Sequence, residues 1–339
     1  MTEMIFGTSY FGNRILRHVE QDMRALRRDH FDYVLHTFSE FDLLFHRQNM
    51  ADIVRASQDS GLKVYLNPWG IGNVFGGEPF SNFVSQQYRA ACQILDDGQT
   101  VPMACPNAPA FLDYMRQWVE TVAAMQPDGI FWDEPHFHEQ GFLSSVAGRW
   151  GCRCDYCRRK FRKHFGYAMP RQETADVIRF KRQSIRDLVS QLSQTIAGSE
   201  MRNILFLTAN IEPENIPEAW SQYARMAAVD TLATGPYWRW YGRPLESVRA
   251  YSENLYRLCK TNQKSAQLWV QCCKIPAGYE SEIATAAGMA TASGIRDIAF
   301  WGFEGCGHES WIACENPTAC WQQTLQSITD SPNCSGKNS

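Results

Sequence analysis

The sequence lacks the features that mark several classes of protein. It has no excess of positive charge, because 33 Lys and Arg residues stand against 36 Asp and Glu residues, for a formal net charge of −3. A chain with this balance offers no basic field for a phosphate backbone, so we expect no nucleic-acid partner. No stretch approaches the roughly 18 apolar residues of a membrane span, and Met1–Tyr10 has no basic region followed by an apolar run. We therefore expect a cytoplasmic protein without a membrane partner.

Two common enzyme motifs are also missing. The chain has no Gly-x-Ser-x-Gly segment of a serine hydrolase, and no Gly-x-Gly-x-x-Gly segment follows its first apolar run. A phosphate ligand would call for a glycine-rich loop with Lys or Ser, but the one candidate, at 74–78, ends in Glu78. Aromatic residues, by contrast, are abundant at 13%, with 11 Trp. This favours a protein that stacks flat apolar faces against a ligand, although large cores also use Trp and Phe.

Apolar runs alternate with helical stretches along the chain, which is typical of β/α units around a parallel sheet. Eight such units over about 330 residues predict a single (β/α)8 TIM barrel at 1–330, followed by a flexible tail at 331–339. Long loops are predicted after strands three and four, at 70–106 and 135–173. The predicted strands are Met4–Tyr10, Phe31–Ser39, Leu62–Trp69, Gly129–Glu134, Asn203–Ile211, Val229–Trp238, Ala266–Cys273 and Asp297–Glu304.

Four of the twelve cysteines have the spacing of a metal site. Cys152, Cys154 and Cys157 lie within six residues, and Cys105 precedes them. Zinc takes four thiolates in tetrahedral geometry, whereas unliganded thiols in an exposed loop would oxidise or cross-link. We therefore expect a structural Zn²⁺ that holds the loop region of about 135–173. Four thiolates leave no open position for water, so this zinc would do no chemistry. We expect most of the other cysteines to be small buried residues.

Two predicted strands end in carboxylates, where a barrel places its site. Strand four ends in Asp133 and Glu134 after an apolar aromatic run, and strand eight ends in Glu304 between glycines. Adjacent side chains on a strand point to opposite faces, so only one of Asp133 and Glu134 needs to face the cavity. A carboxyl buried beside Trp132 would have the raised pKa that a general acid requires. The competing interpretation is an acidic strand end exposed to water for Asp133 and Glu134, and a Glu that caps or pairs at a loop for Glu304.

Further polar and aromatic residues fall at the predicted strand ends. Such a ring of groups suits a polyhydroxylated ligand, which is hydrogen-bonded at its edges and stacked on its faces. For each of these residues a half-buried structural role is an equal alternative. We expect His136, His138 and Glu139 to be solvated or to bind a ligand, and not to form a second metal site. The candidate substrate-binding residues are His36, Glu40, Asn67, Trp69, Asn210, Tyr237, Trp238, Gln271, Trp301 and His308.

The segment from Cys105 to Phe165 resembles family 42 glycoside hydrolases, the β-galactosidases. The shared features are Cys105 followed by Cys152-x-Cys154-x-x-Cys157, with residues 131–134 between them at the position where that family carries its acid/base Glu. Putative glycoside hydrolases of the barrel type share the Asp-Glu pair and the cysteine run. The resemblance implies a zinc site at the four cysteines and a retaining glycosidase with Glu134 as acid/base and a second Glu as nucleophile.

The chain departs from that family in two places. Asp133 stands where the family has Asn, and strand seven, where the family carries its nucleophile, has no carboxylate at 268–273. The second carboxylate therefore stays open among Glu304, Glu280, Glu282 and Asp133.

We expect an O-glycosidase, exo-acting on a small glycoside or oligosaccharide, with Glu134, Glu304 and Asp133 as the catalytic candidates. The alternatives are a barrel that binds carbohydrate without catalysis, and a lyase or isomerase acting on a sugar-like substrate. The oligomeric state stays open, a homo-oligomer included.

Overall fold

The computed structural model describes residues 3–87, 89–138 and 148–331. Eight parallel strands close into a barrel in the order β1-β10-β9-β8-β7-β6-β3-β2, which confirms the predicted TIM barrel. The tail at 332–339, with Cys334, and the loop residue Glu139 lie outside the described residues. The barrel strands are β1 Ile5–Tyr10, β2 Tyr33–Thr37, β3 Lys63–Asn67, β6 Gly129–Asp133, β7 Arg202–Phe206, β8 Thr231–Thr234, β9 Ser265–Gln271 and β10 Asp297–Trp301.

Helices surround the barrel, and most of them bury an apolar stripe. In α1, for example, Val19, Met23 and Leu26 are buried at the spacing of one helical face. Among the described residues no helix is both long and apolar enough to cross a membrane. The helices are α1 Leu16–Arg28, α2 Glu40–Phe45, α3 Arg47–Asp59, α4 Pro109–Met125, α5 Asp155–Phe165, α6 Ala175–Gln194, α7 Ile216–Ala224, α8 Ser247–Thr261, α9 Glu282–Ala292 and α10 Pro317–Thr329.

The barrel interior is filled by side chains that alternate along each strand. Tyr33 and Leu35 of β2 and Phe131 of β6 belong to one buried cluster inside the barrel. Their neighbours in sequence point to the surrounding helix layer, where Val34 and Trp132 are part of the larger core. At the end of the barrel where the strands begin, the Tyr33 hydroxyl donates to Asp297 at 2.8 Å.

Several strands end earlier than the sequence predicted. The predicted second, third, fifth, sixth, seventh and eighth strands continue for two to five residues beyond their observed ends at Thr37, Asn67, Phe206, Thr234, Gln271 and Trp301. The sequence predicts strand for the residues just beyond these ends, but they form the loops over the mouth. Periodicity does not separate a strand from an apolar loop that is buried against the same core.

The two long loops carry structure of their own. The loop after β3 contains an antiparallel hairpin of β4 (Cys92–Ile94) and β5 (Thr100–Ala104), and the loop after β6 contains α5. The predicted strands do not include the two strands of this hairpin. A bridge between Leu95 and Gly151 joins the two loops. The eleven described cysteines are buried and unbridged, which confirms the expectation for those outside the cluster as far as the structure describes them.

Candidate active site and cysteine cluster

A cavity of about 470 Å³ opens at the carboxyl ends of the barrel strands. We call it the mouth cavity. Its described lining includes three carboxylic acids and one histidine but no Lys or Arg, and half of its members are aromatic rings. The lining residues are Trp69, Gly76, Gly77, Glu78, Phe131, Asp133, Glu134, His136, Phe206, Thr208, Asn210, Tyr237, Trp240, Tyr241, Cys273, Trp301 and Trp311.

Asp133 and Glu134 both line this cavity although they are adjacent in sequence. Asp133 is the last residue of β6 and points inward with Phe131. Glu134 follows with φ +41°, a left-handed conformation that L-residues seldom adopt. Because the chain leaves the strand geometry at Glu134, the alternation of strand side chains no longer applies there. This backbone turn lets both residues line the same cavity. In a regular strand, adjacent side chains would point to opposite faces and only one of them would face it.

Asp133 is the more buried of the two, with 5% of its surface exposed. The Asn67 amide donates to its Oδ2 at 2.9 Å. The pKa of Asp133 is raised to about 7, because burial raises it more than the hydrogen bond from Asn67 lowers it, and the charge of Glu78 adds to the rise. Asp133 therefore gains and loses its proton near neutral pH.

Glu78 is a third acid in the mouth cavity, and it is not among the candidates predicted from the sequence. In the sequence it is the acid that makes residues 74–78 unsuited to a phosphate, but the glycine-rich loop places it at the mouth. The loop is held close to Asp133, since the Gly76 amide donates to the Asp133 carbonyl at 2.9 Å. Desolvation and the charge of Glu309 raise the pKa of Glu78. The available signal was its place after a predicted strand end, next to two glycines that permit close backbone approach.

Stacked aromatic rings form one wall of the cavity. Trp69 and Trp301 lie with ring centroids 5.3 Å apart and planes at 29°, and Phe11 stacks on both at 5.9 and 5.7 Å. Trp69 and Trp301 are half-buried, so each keeps part of its surface open to the cavity. Such a surface suits the C–H face of a sugar ring. These two predicted binding residues are thus brought together with the acids.

Tyr237 and Tyr241 also line the mouth cavity, where burial and the charges of the acids raise the pKa of both. Burial raises the pKa of Tyr237, and the nearby charges of Asp133 and Glu134 add to the shift. Tyr241 shows the same direction of pKa shift, and its hydroxyl lies 3.3 Å from that of Thr208. Both phenols therefore stay protonated and can donate hydrogen bonds.

At the rim, the Lys274 ammonium stands 3.4 Å from the ring centre of Trp311 and 4.5 Å from that of Trp240. Both tryptophans are exposed and line the cavity. Asn210, also exposed, completes the group of predicted binding residues that line the mouth.

Two predicted binding residues serve the scaffold instead. His36 points outward from β2, where its Nε2 lies 2.9 Å from the Ser57 hydroxyl of α3, and burial lowers its pKa to about 3. The Glu40 carboxylate is buried and accepts three hydrogen bonds from the loop after β3, at 2.6 to 2.8 Å. The donors are the Gly72 amide, the Ser81 hydroxyl and the Phe83 amide. Glu40 therefore holds the loop that carries Glu78.

Three more lie outside the described cavity lining. Trp238 is buried and donates to Glu282 at 2.7 Å. Gln271 is buried, donates to the Cys273 carbonyl at 2.8 Å and accepts from the Arg239 amide at 3.0 Å. His308 is exposed and contacts the Phe11 carbonyl at 3.0 Å.

Glu304, expected beside Glu134, is not among the described residues that line the mouth cavity. Its side chain is exposed, and desolvation followed by the charge of Asp22 raises its pKa. It lies on the side of Tyr10, which points to the helix layer and donates to Asp22 at 2.6 Å. The strand β10 ends at Trp301, and Glu304 follows with a positive φ. The other candidates, Glu280 and Glu282, also lie outside the described lining, and Glu282 pairs with Arg239.

The four cysteines with metal-site spacing do converge. The sulfur atoms of Cys105, Cys152, Cys154 and Cys157 lie within 4.8 Å of one another and are buried. Two of the separations are 3.4 Å, between Cys105 and Cys157, and 3.5 Å, between Cys105 and Cys154. A tetrahedral ion with bonds of about 2.3 Å to sulfur would place sulfurs about 3.8 Å apart. The cluster can therefore hold a metal ion.

The surroundings of the sulfurs also suit bound thiolates. N–H groups point at three sulfurs, from the Asn107 side chain to Cys157 at 3.3 Å and from two backbone amides to Cys152 and Cys105. Such donors stabilise negative charge on sulfur. Among the described residues this is the one group of three or more His, Cys, Asp or Glu side chains close enough to hold an ion. His136 lines the mouth cavity instead, with Nδ1 at 2.5 Å from the Glu134 carbonyl.

Comparison with known proteins bears on the fold. No family model and no curated protein sequence matches the chain. Among solved structures, the glycoside hydrolase domain of PgaB (BpsB) from Bordetella bronchiseptica aligns with a TM-score of 0.63 at 11% identity, over 96% of this chain and 99% of that one.

Two further solved structures show the same likeness. A GH5_18 enzyme of Streptomyces cattleya, solved with Manβ1-4GlcNAc, gives 0.59 at 11% identity over 98% and 82% of the two chains. The endo-1,4-β-mannanase of Rhizomucor miehei gives 0.58 at 10% identity over 97% and 96%. At such low identity these likenesses establish the fold alone: the chain adopts a (β/α)8 barrel similar to those of glycoside hydrolases.

Proposed function

We propose that the protein is an O-glycosidase that cleaves a terminal sugar from a small glycoside or oligosaccharide. One observation carries the proposal: two adjacent carboxyls, one of them titrating near neutral pH, share a cavity walled by stacked tryptophans at the catalytic end of a TIM barrel. A carboxyl pair is the machinery that glycosidic cleavage needs. The likeness in fold to glycoside hydrolases supports the same class.

We assign the proton transfer to Glu134 and the second carboxylate role to Asp133. The Glu134 proton passes to the glycosidic oxygen as the bond from that oxygen to the anomeric carbon breaks. Because the pKa of Asp133 is raised to about 7, the ionised fraction of this group fills the second role at neutral pH. By a first route the ionised Asp133 bonds to the anomeric carbon, and a water that passes its proton to Glu134 then cleaves that ester and releases the sugar. By a second route the ionised Asp133 takes a proton from a water whose oxygen bonds to the anomeric carbon. Carboxyl groups about 5–5.5 Å apart act by the first route with retention, and groups about 6.5–9.5 Å apart act by the second with inversion. NMR of the first-formed anomer distinguishes these routes.

The sugar would stack on Trp69 and Trp301 and hydrogen-bond to Asn210 and Tyr237. These contacts match a hydroxylated ring, which presents an apolar face and polar edges.

We propose Zn²⁺ as the ion of the cysteine cluster. Four thiolates at tetrahedral spacing are the donor set that zinc favours. Cys105 follows the β4–β5 hairpin, and the other three cysteines flank the start of α5, so the ion would join the two long loops. The chain's own residues do the chemistry, and the metal supplies only this cross-link.

The first experiment compares two acids that differ in position. Hydrolysis is measured on α- and β-4-nitrophenyl glycosides of glucose, galactose, mannose and N-acetylglucosamine. Glu134→Gln is expected to lose about 100-fold or more in kcat/KM, the usual contribution of a general acid. Glu304→Gln is the matched control, and its kcat/KM is expected to stay within about 3-fold of that of the unmodified protein. Such a change is less than the roughly 1.4 kcal/mol that corresponds to a tenfold change. Full activity in a folded Glu134→Gln protein would refute the assignment.

Azide separates the roles of the other two acids. In Asp133→Ala, azide is expected to restore turnover and give a glycosyl azide, because a small anion takes the place of the missing carboxylate. Glu78→Ala, compared under the same conditions, is expected to show no such azide product. Azide rescue of Glu78→Ala alone would move the second role to Glu78.

A barrel that binds carbohydrate without catalysis is the second candidate. The barrel strand β9 ends in Gln271, followed by two cysteines, without the carboxylate of the resembled family. Calorimetric binding of a sugar with no turnover on the full panel would favour this function over hydrolysis.

A further inference from the structure

A second cavity of about 450 Å³ adjoins the mouth cavity. The two share Glu134, His136, Phe206 and Thr208 in their lining. We call the second one the side cavity. Glu134 thus stands on the boundary between two spaces of similar size, and Asp133 lines only the mouth side of the described boundary.

The side cavity is built by α6, α7 and the ends of β6 and β7. Its walls are largely apolar, with Ile185 and Ile178 from α6 and Trp220 from α7. One polar edge interrupts them: the Lys181 ammonium lies 2.8 Å from a Glu173 carboxylate oxygen, and both side chains are three-quarters buried or more. This pair presents a donor and an acceptor side by side, which is what a diol on a ring can bind.

The charge in the two cavities differs. The described lining of the mouth cavity holds three acids and no Lys or Arg, whereas the side cavity has Lys181 and Arg182 against Glu173 and the shared Glu134. When Lys and Arg are counted against Asp and Glu, the formal charge of the described lining is therefore −3 for the mouth cavity and zero for the side cavity. An uncharged hydroxylated group therefore suits the side cavity.

We propose that the side cavity binds the leaving-group part of the substrate, as a second saccharide unit. The inference rests on the proposed function. An acid that protonates a glycosidic oxygen must lie between the two groups which that oxygen joins, and Glu134 borders both cavities. The sugar that is released first would then be held by α6 and α7, while the sugar attacked at its anomeric carbon occupies the mouth cavity. The substrate would be a disaccharide or longer, in preference to a glycoside with a small leaving group.

Two substrates with the same terminal sugar separate the cavities. A glycosyl fluoride has a leaving group too small to use the side cavity, whereas a disaccharide needs it. Ile178→Trp fills the side cavity from a position that is 38% exposed, so folding should persist. Ile5→Trp is the matched control, because Ile5 has the same 38% exposure and starts a strand at the opposite end of the barrel.

We expect Ile178→Trp to lower kcat/KM for the disaccharide about 10-fold or more, a loss of one tenfold step in transition-state binding. The fluoride should change less than about 2-fold by the same measure, and Ile5→Trp should leave both substrates unchanged. Lys181→Met, which removes the polar edge, is expected to reproduce the selective loss and serves if Ile178→Trp does not fold.

The outcomes distinguish the two proposals. Equal effects on both substrates, or none on either, in folded variants would overturn the side-cavity inference and leave the glycosidase function standing. If the unmodified protein hydrolyses neither the fluorides nor the disaccharides of the four sugars, the proposed function fails and the inference with it.

Discussion

The Asn67 side-chain amide donates to the Asp133 carboxylate at 2.9 Å and so links the ends of β3 and β6. The carbonyl of the same Asp133 accepts the Gly76 amide at 2.9 Å. One acid is therefore held by its neighbouring strand and by the loop that brings Glu78 to the mouth. The site is assembled from parts that lie 66 residues apart in the chain.

Asp133 makes stability depend on pH in a defined direction. In the folded protein it keeps its proton up to pH about 7, while in the unfolded chain it loses it near pH 3.9. Between these values the folded state binds more protons, so this contribution to stability is lost as the pH rises. Asp133→Asn keeps an oxygen for Asn67 and removes the titration. We expect its Tm relative to the unmodified protein to rise by about 2 °C or more between pH 4.5 and pH 8.

Calorimetry at pH 4.5, 6 and 8 checks this prediction. Asp297, which is also buried with a pKa raised to about 6, is present in both proteins and cancels in the comparison. A Tm difference that is the same at all three values would show that Asp133 does not carry the shift.

The cysteine cluster predicts one metal ion per chain. Cys154→Ser should abolish stoichiometric zinc in elemental analysis and lower the Tm, because a structural site contributes its binding free energy to folding. Cys259→Ser is the control, since Cys259 is equally buried, on α8, and outside the cluster. Strong chelation should lower the Tm of the unmodified protein in the same direction. Retention of zinc by Cys154→Ser would place the ion elsewhere.

We predict that replacing Glu40 destabilises the loop after β3, although Glu40 is not among the catalytic candidates. Glu40→Ala leaves three donors of the loop after β3 without their acceptor, and each buried orphan costs about 1–3 kcal/mol. We expect about 3 kcal/mol or more of lost unfolding free energy in urea. A drop in activity should accompany it, because the same loop carries Glu78. Glu253→Ala, at an exposed position of α8, should stay within about 0.5 kcal/mol.

We predict that Trp240 contributes to the affinity for a sugar but not to the stability of the fold. Its ring is 43% exposed, lines the mouth cavity and lies edge-to-face with Trp311. Trp240→Ala should weaken saccharide binding about 10-fold, since an aromatic contact contributes about 0.5–1.5 kcal/mol beyond the area it buries. Phe45→Ala removes an exposed ring outside the described cavity lining and should bind as the unmodified protein does. Titration by calorimetry measures both, and equal affinities would remove Trp240 from the site.

The residue order by itself determined the barrel and the metal-site candidates. Eight alternations of apolar run and helix leave few other ways to bury a parallel sheet. The spacing of Cys152, Cys154 and Cys157, with Cys105 before them, is that of a metal site. Alternation along β2 also carried the signal for His36, because Tyr33 and Leu35 point inward and therefore His36 points out. That signal needed the strand's register and its true end, which periodicity does not supply.

Tertiary structure alone decided which acids meet. Glu304 ends a predicted strand just as Glu134 does, and both residues have a positive φ, yet of the two only Glu134 is among the described residues that line the mouth cavity. Glu78 lies in a loop that is held by hydrogen bonds to Glu40, 38 residues earlier in the chain, and to the Asp133 carbonyl. Such placements depend on long-range hydrogen bonds and on single backbone torsions, and neither leaves a periodic trace in the sequence.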